Sequence, residues 1–179
     1  LTANVENLKK MEAAGAGAVI LKSLFEEQIT QEMNVNVKVY SANFSGYPEA
    51  YNYIQEHTKG QAIEKYIKLI KDAKASLNIP VIASINCITA SEWLPFVKTV
   101  EESGADGIEL NMFILPSDIN LSHEDIERLY EDIIHIIKRA TSLPISLKIS
   151  SYFSSLTRFA QKISWMGITY PNIFNRFYQ

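Results

Sequence analysis

The sequence predicts an α/β fold of the (β/α)8, TIM-type barrel class. It is expected to be an incomplete barrel of about five to six βα units, in one domain over residues 1–179. Three observations predict it: helical and strand patterns alternate, their connections recur in two styles, and each strand has a more polar side. Parallel strands joined by helices also occur in open doubly wound sheets, so the last two observations must separate the two folds.

The alternation runs from the first residues to the last. Apolar residues at helical spacing predict helices, and the short apolar runs between them predict strands. The predicted helices are Val5 to Ala14, Gln61 to Leu77, a segment in which Trp93, Phe96, Val97 and Val100 share one face, a segment beginning at Ser122, and about Ser155 to Trp165. The predicted strands are Ala16 to Lys22, Val81 to Asn86, Gly107 to Asn111, Leu143 to Ile149, and about Ile168 to Phe174.

The ends of these elements carry recognisable signals. Gly15 and Gly104 are expected to end two helices, and Ser122 with Asp125 three residues later forms a capping box. Two strands follow a Gly-Ala pair (AAGAGAVILK and ESGADGIELN), and two follow an apolar residue and proline (LNIPVIASIN and TSLPISLKIS). This weak repetition indicates a recurring βα unit. No glycine-rich loop of the nucleotide-binding open sheets follows a strand, which favours the barrel.

The strand residues also favour a barrel. Because strand side chains alternate between two sides, one set is expected to point inward and the other to pack against helices. The inward set is Ala18, Ile20, Lys22, Ile82, Ser84, Asn86, Glu109, Asn111, Ser146 and Lys148. A barrel of this class carries its active site at the C-terminal strand ends, where Lys22, Asn86, Asn111 and Lys148 are predicted to lie.

Composition narrows the functions that the chain can have. The net charge is -3 and the pI about 5.7, without a basic cluster, so neither nucleic acid nor an anionic membrane is expected as a partner. A small-molecule substrate is expected instead. The single cysteine, Cys87, rules out an internal disulfide and a cysteine-based metal site, which agrees with a cytoplasmic location. The chain opens on Leu1, as a fragment of a longer protein would.

Several motifs carry a resemblance to a known family. AGAVILKS, IPVIASINC, SGADGIELN, LPISLKIS and the closing FNRFY resemble, in order, the strand motifs of the dihydroorotate dehydrogenase family, most closely its dihydroorotate dehydrogenase-like proteins. The resemblance implies a barrel that binds FMN and oxidises dihydroorotate to orotate in pyrimidine biosynthesis. The complete protein would then be an FMN-dependent oxidoreductase acting on a CH–CH group.

The resemblance also implies roles for individual residues. Lys22 and Ser23 match a strand-end pair beside the flavin, Asn111 matches an asparagine that contacts flavin and substrate, and Lys148 matches a lysine near the flavin ring. The strand-end amide Asn86 joins this cofactor-binding set. Substrate contacts are expected from Asn43, Asn111 and Asn175. A cation stabilises the anionic reduced flavin, and amides orient the ring and substrate by hydrogen bonds.

Two departures from the family pattern affect this expectation. At the position where the family has a catalytic Cys or Ser base, this chain has Ile114, which cannot accept a proton. Without that base, the rate of dihydroorotate oxidation would be about 100- to 10,000-fold lower. The chain is also shorter than the roughly 250 residues of a complete barrel and lacks the turns that would hold the FMN phosphate, so it is expected to bind FMN poorly.

These departures leave alternatives open. The chain could be a flavin- or small-anion-binding barrel that has lost the oxidation, or a half-barrel module whose open edges make it a homodimer. Lys148 and Lys22 could form a structural ion pair with Glu109, and Asn111 could cap backbone groups. Cys87 could be a small buried residue or a replacement base.

Overall fold

The computed structural model describes residues 2–25, 48–86, 90–114 and 117–173, with side-chain detail except at residues 25, 48–59 and 90–93. Five helices occur in these ranges: α1 (Val5–Ala13), α2 (Pro48–Ser76), α3 (Ala90–Glu102), α4 (His123–Ala140) and α5 (Leu156–Trp165). Six strands occur with them: β1 (Val19–Ile20), β2 (Leu24–Phe25), β3 (Val81–Asn86), β4 (Gly107–Asn111), β5 (Ile145–Ile149) and β6 (Tyr170–Ile173). The predicted alternation of helix and strand is confirmed.

All six strands belong to one parallel sheet in the order β1-β3-β4-β5-β6, with β2 also pairing with β3. Val19 lies opposite Val81 and Leu24 opposite Ile85, so β1 and β2 follow one another along the same edge of β3. Successive parallel strands joined by helices make the incomplete (β/α)8 barrel expected from the sequence. The expected strand from Ala16 to Lys22 is wrong in its length, because β1 covers only Val19–Ile20 of it, and a second short strand, β2, begins beyond it at Leu24.

The core lies between the sheet and its helices. The side chains on that side of the strands, together with Leu21 just after β1, are at most 3% exposed and are all aliphatic: Val19, Leu21, Val81, Ala83, Ile85, Ile108, Leu110, Ile145, Leu147 and Ile149. Ile70 of α2, Val97 and Val100 of α3, Ile134 of α4 and Phe159 of α5 are buried against them. Burying each such side chain contributes about 1.5–3 kcal/mol, which fixes the strand register.

The helix ends predicted from Gly15, Gly104 and the Ser122 capping box are confirmed. Gly15 and Gly104 follow α1 and α3 with φ of 94° and 87°, in the left-handed region that only glycine adopts readily. At the start of α4 the Asp125 N–H donates to Ser122 Oγ (3.2 Å), and the Ser122 N–H donates to Asp125 Oδ2 (3.0 Å). The Ser122 hydroxyl also donates to Asp125 Oδ2 (2.8 Å), and this bond, followed by the one from the Ser122 N–H, lowers the pKa of Asp125.

Candidate functional site

Polar side chains of four neighbouring strands meet on the side of the sheet opposite the helices, here called the inner face. The register places Ser84, Glu109, Ser146 and Tyr170 opposite one another across β3 to β6, and Asn111, Lys148 and Asn172 one step nearer the C-terminal ends. The alternation predicted from the sequence is therefore confirmed on these strands. In barrels of this class the C-terminal strand ends hold the active site.

Glu109 lies at the centre of the inner face and is only 2% exposed. The Ser84 hydroxyl donates to its Oε1 (2.8 Å), and the Asn172 amide donates to its Oε2 (2.9 Å). Lys148 Nζ lies 3.9 Å from Oε1 and supplies the opposite charge. A buried carboxylate is costly unless it is paired and hydrogen-bonded, and these three side chains meet that requirement.

A chain of hydrogen bonds connects Glu109 to the end of β1. The Ser84 hydroxyl hydrogen is directed to Glu109, so in the 2.6 Å contact between Ser23 Oγ and Ser84 Oγ the donor must be Ser23. The Asn111 side-chain amide in turn donates to Ser23 Oγ (3.4 Å). Every donor in this chain points toward the carboxylate, so the bonds reinforce one another.

Tyr66 of α2 explains the break between β1 and β2. Its hydroxyl donates to the Ser84 carbonyl (2.8 Å) and accepts from the Ser84 N–H (2.8 Å), at the position where a neighbouring strand would otherwise pair. Burial raises the pKa of Tyr66, and the negative charge of Glu109 adds to that rise. The hydroxyl therefore stays protonated and fixes β3 below the strand-end residues.

The cationic residues predicted at the strand ends occupy different environments. The Lys148 side chain is 24% exposed and faces Glu109, as the ion-pair alternative requires. Lys22, by contrast, is exposed, just after β1. Asn86 is half-buried at the end of β3. The structure thus brings Ser23, Asn111 and Lys148 together around Glu109, and their functional roles remain predictions.

The apolar loop after Asn111 has a packing role. Ile114 is half-buried against the core, and its N–H donates to the Tyr130 hydroxyl of α4 (3.2 Å). Phe113 is exposed and contacts Tyr152 edge-on, with ring centroids 6.2 Å apart. An isoleucine held in this way anchors the loop to α4 and has no group that could accept a proton.

Some predicted residues fall outside the described part of the chain, and some described residues were not predicted. Asn43, Asn175 and Cys87 lie outside the described residues. The sequence does not indicate Asn172 or Tyr66 as site residues, and it predicts Glu109 as an inward residue that could pair with Lys22 or Lys148. The alternation of Tyr170 and Asn172 in β6 was a usable signal for Asn172. The sequence has no comparable signal for Tyr66, because its hydrogen-bond partner is the backbone of Ser84, 18 residues further along the chain.

Two kinds of feature are absent from the described ranges. Within residues 2–25, 48–86, 90–114 and 117–173, no group of three or more His, Cys, Asp or Glu side chains is arranged to hold a metal ion. In the same ranges, no helix combines the length and apolar character that crossing a bilayer requires. A membrane-spanning helix is therefore not found in the described part of the chain.

Comparison with known proteins gives a structural likeness alone. Neither a protein-family model nor a curated protein sequence matches the chain. A dihydrodipicolinate synthase from Agrobacterium tumefaciens is similar at a TM-score of 0.56 and 17% identity, over 93% of this chain and 45% of that one. A proposed dihydrodipicolinate synthetase from Pseudomonas aeruginosa is similar at 0.52 and 11% identity, over 92% of this chain and 46% of that one.

A third structure is similar more weakly. It is a prophage protein of the dihydrodipicolinic acid synthase family from E. coli K12, in complex with pyruvate, with a TM-score of 0.44 and 14% identity over 80% of this chain and 37% of that one. That TM-score is too low to support an argument. The chain thus spans less than half the length of each of these three structures.

These findings correct the family and the function expected from the motifs. The similar structures are dihydrodipicolinate synthases and not dihydroorotate dehydrogenases, so the expected family, the FMN cofactor and the pyrimidine oxidoreductase activity are wrong. The motifs that suggested them, such as AGAVILKS and SGADGIELN, encode features that any parallel βα unit needs: a glycine turn, an apolar strand and a polar strand end. What the likeness establishes is the fold, an incomplete TIM-type barrel.

Proposed function

We propose that the protein is an enzyme of the aldolase type that binds a small 2-oxo acid at the inner face and forms a Schiff base with it through Lys148. The observation that carries this proposal is the position of the Lys148 amine, partly exposed at the C-terminal strand ends and 3.9 Å from the buried carboxylate of Glu109. The names of the two similar barrels support a lyase-type reaction over a flavin reaction.

The chemistry follows from the properties of a lysine amine. Neutral Lys148 Nζ would add to the ketone carbon of the 2-oxo acid, and the carbonyl oxygen would leave as water, giving an iminium ion. The positive nitrogen then draws electrons from the adjacent carbon, which can make or break a carbon–carbon bond. Lysine can serve as such a nucleophile where its environment controls its proton.

A neighbouring amide suits the acid group of the same substrate. Asn172 of β6 is half-buried and lies opposite Lys148 across β5 and β6. Its side chain carries two N–H donors, one of which donates to Glu109. The second donor would hold a carboxylate while the ketone faces Lys148, and Asn111, which is 1% exposed and donates to Ser23, would support the site from within.

A reductive trapping experiment tests the proposal. The protein is incubated with pyruvate, the smallest 2-oxo acid, and sodium cyanoborohydride, which converts an iminium into a stable secondary amine. We expect an intact-mass increase of one reduced pyruvate, lost in Lys148→Arg and kept in Lys98→Arg, a matched change at an exposed lysine of α3. An adduct that persists in Lys148→Arg, or a wild-type protein that forms none, would contradict the proposal.

A further inference from the structure

We infer that Glu109 is a second catalytic residue, which holds the Lys148 amine on the inner face and exchanges a proton with it. The inference rests on the proposed function of Lys148 and goes beyond it by assigning the neighbouring carboxylate. Glu109 is 2% exposed, and its Oε1 lies 3.9 Å from Lys148 Nζ. Among the residues that the structure describes, Lys148 is the cation within ion-pair distance of this carboxylate.

The carboxylate is held in place independently of the lysine. Ser84 of β3 donates to Oε1, and Asn172 of β6 donates to Oε2, so strands on both sides fix its plane. Ser84 is itself fully buried, and Ser23 extends the network toward the end of β1. Side chains locked in this way can hold a reactive group within the small tolerance that catalysis needs.

The Lys148 amine is less constrained than the carboxylate. Its distance of 3.9 Å from Oε1 is longer than a direct hydrogen bond, so charge attraction holds the amine near Glu109 without locking it. The Lys148 side chain also keeps 24% exposure, against 2% for Glu109. Proton transfer needs a hydrogen-bond contact, and because the carboxylate is fixed while the amine can move, the Lys148 side chain can close the remaining distance to Glu109.

The proton balance of Schiff-base formation gives Glu109 a role in both directions. The Lys148 ammonium would pass one proton to the Glu109 carboxylate, leaving a neutral amine and a neutral acid. The amine nitrogen would bond to the ketone carbon, one of its two protons would move to the oxygen, and the other would stay on the nitrogen. Glu109 would return its proton to the departing hydroxyl, which leaves as water, and the restored carboxylate would face the iminium cation.

Competitive labelling of lysines with acetic anhydride tests the inference without any 2-oxo acid, because the reagent acylates only neutral amines. The measured quantity is a labelling ratio, the acetylated fraction of Lys148 divided by that of exposed Lys98 in the same sample. It is determined by peptide mass spectrometry at neutral pH. Glu109→Gln keeps the size of the side chain and removes its charge, so we expect the ratio to rise about tenfold. Glu109→Asp keeps the charge, and its ratio should stay within about twofold of the wild type.

A second variant covers the case in which Glu109→Gln fails to fold. Asn172→Ala removes one of the two hydrogen bonds that fix the carboxylate, so the ratio should rise, though less than in Glu109→Gln. Unchanged ratios in the folded variants, or a change in Glu109→Asp without one in Glu109→Gln, would overturn the inference and indicate that only the shape of Glu109 matters. Failure of the proposed function appears separately, as a wild-type protein that forms no pyruvate adduct.

Discussion

At the scale of single residues, Tyr66 contributes to the site without facing the inner face. Its hydroxyl satisfies both backbone groups of Ser84, the residue whose side chain supports Glu109. A buried N–H or C=O left without a partner costs about 1–3 kcal/mol, so β3 depends on this single oxygen where β1 ends and β2 begins. The position of the carboxylate beside Lys148 therefore depends on a helix residue behind the sheet.

Replacing Tyr66 with Phe tests this dependence. The substitution keeps the ring, which packs 6.1 Å from Phe96, and removes the oxygen that pairs with Ser84. We expect the free energy of unfolding in urea to fall by about 1–3 kcal/mol. Tyr170→Phe removes a hydroxyl from a residue that is 70% exposed, so it should change stability by less than about 0.5 kcal/mol. Equal effects of the two substitutions would argue against the role of Tyr66.

The sequence made part of this site predictable. The two-residue period of the strands places Ser84, Glu109, Asn111 and Lys148 on one side, and the structure confirms that placement. Asn172 is harder to predict, because Pro171 interrupts the strand pattern in which Tyr170 and Asn172 alternate. Tyr66 could not have been found, since its helical pattern indicates a core residue and its hydrogen bonds depend on how α2 packs against β3.

At the scale of elements, Asp106 joins three segments at the opposite end of the sheet from the site. Its carboxylate accepts from Lys74 Nζ of α2 (2.6 and 2.7 Å) and from the Val81 N–H at the start of β3 (2.7 Å), just before β4 begins. Partial burial acts to raise the pKa of Asp106, but the bonds from Lys74 and Val81 outweigh it and lower that pKa. This end of a barrel is typically concerned with stability.

The lowered pKa gives a stability that depends on pH. Because the pKa of Asp106 is lower folded than unfolded, its contribution is present above the usual Asp pKa of about 4 and is lost as the pH falls through the folded value. At pH 7, Asp106→Asn should lower the free energy of unfolding by about 1 kcal/mol, discounted for the exposure of the pair. The difference from the wild type should shrink below about pH 4.

Urea unfolding at pH 7 and pH 3 measures this effect. Asp132→Asn is a suitable control, because Asp132 is exposed on α4 and its replacement should change stability little at either pH. A difference between wild type and Asp106→Asn that stays the same at both pH values would contradict the assigned role of the Asp106 charge.

At the scale of the whole molecule, the period of the strands predicts the fold class but cannot identify the family. The parallel sheet with helices on one face is specified by two kinds of signal. Aliphatic and polar residues alternate along the strands, and Gly15, Gly104, Pro80 and Pro144 lie in the connections before strands. Many barrels share these requirements, so motifs that satisfy them indicate architecture more than chemistry. A single domain over residues 1–179 remains a prediction, as does the cytoplasmic location.

The last strand of the described sheet should affect how the 179-residue chain behaves in solution. In the described part of the chain β6 pairs with β5 alone, and the side chains of Trp165 (78%), Tyr170 (70%) and Ile173 (44%) are exposed there. Unpaired strand edges with exposed apolar groups promote association. We expect concentration-dependent self-association in sedimentation velocity experiments, in agreement with the homodimer predicted from the sequence.

A charge on this strand should weaken the association. Ile173→Lys places an ammonium on β6 and should shift the sedimenting species toward the monomer. Ile119→Lys changes a residue that is 97% exposed but lies in the loop before α4, so it should leave association unchanged. If both variants associate as the wild type does, β6 is not the surface involved.

We propose Lys148, beside the buried carboxylate of Glu109, as the reactive amine of the inner face. Peptide mapping of the wild-type protein after treatment with pyruvate and sodium cyanoborohydride locates the modified side chain. We expect a single reduced pyruvate, on the peptide that contains Lys148. A map with no adduct, or with adducts spread over exposed lysines such as Lys98, would show that Lys148 is not this amine.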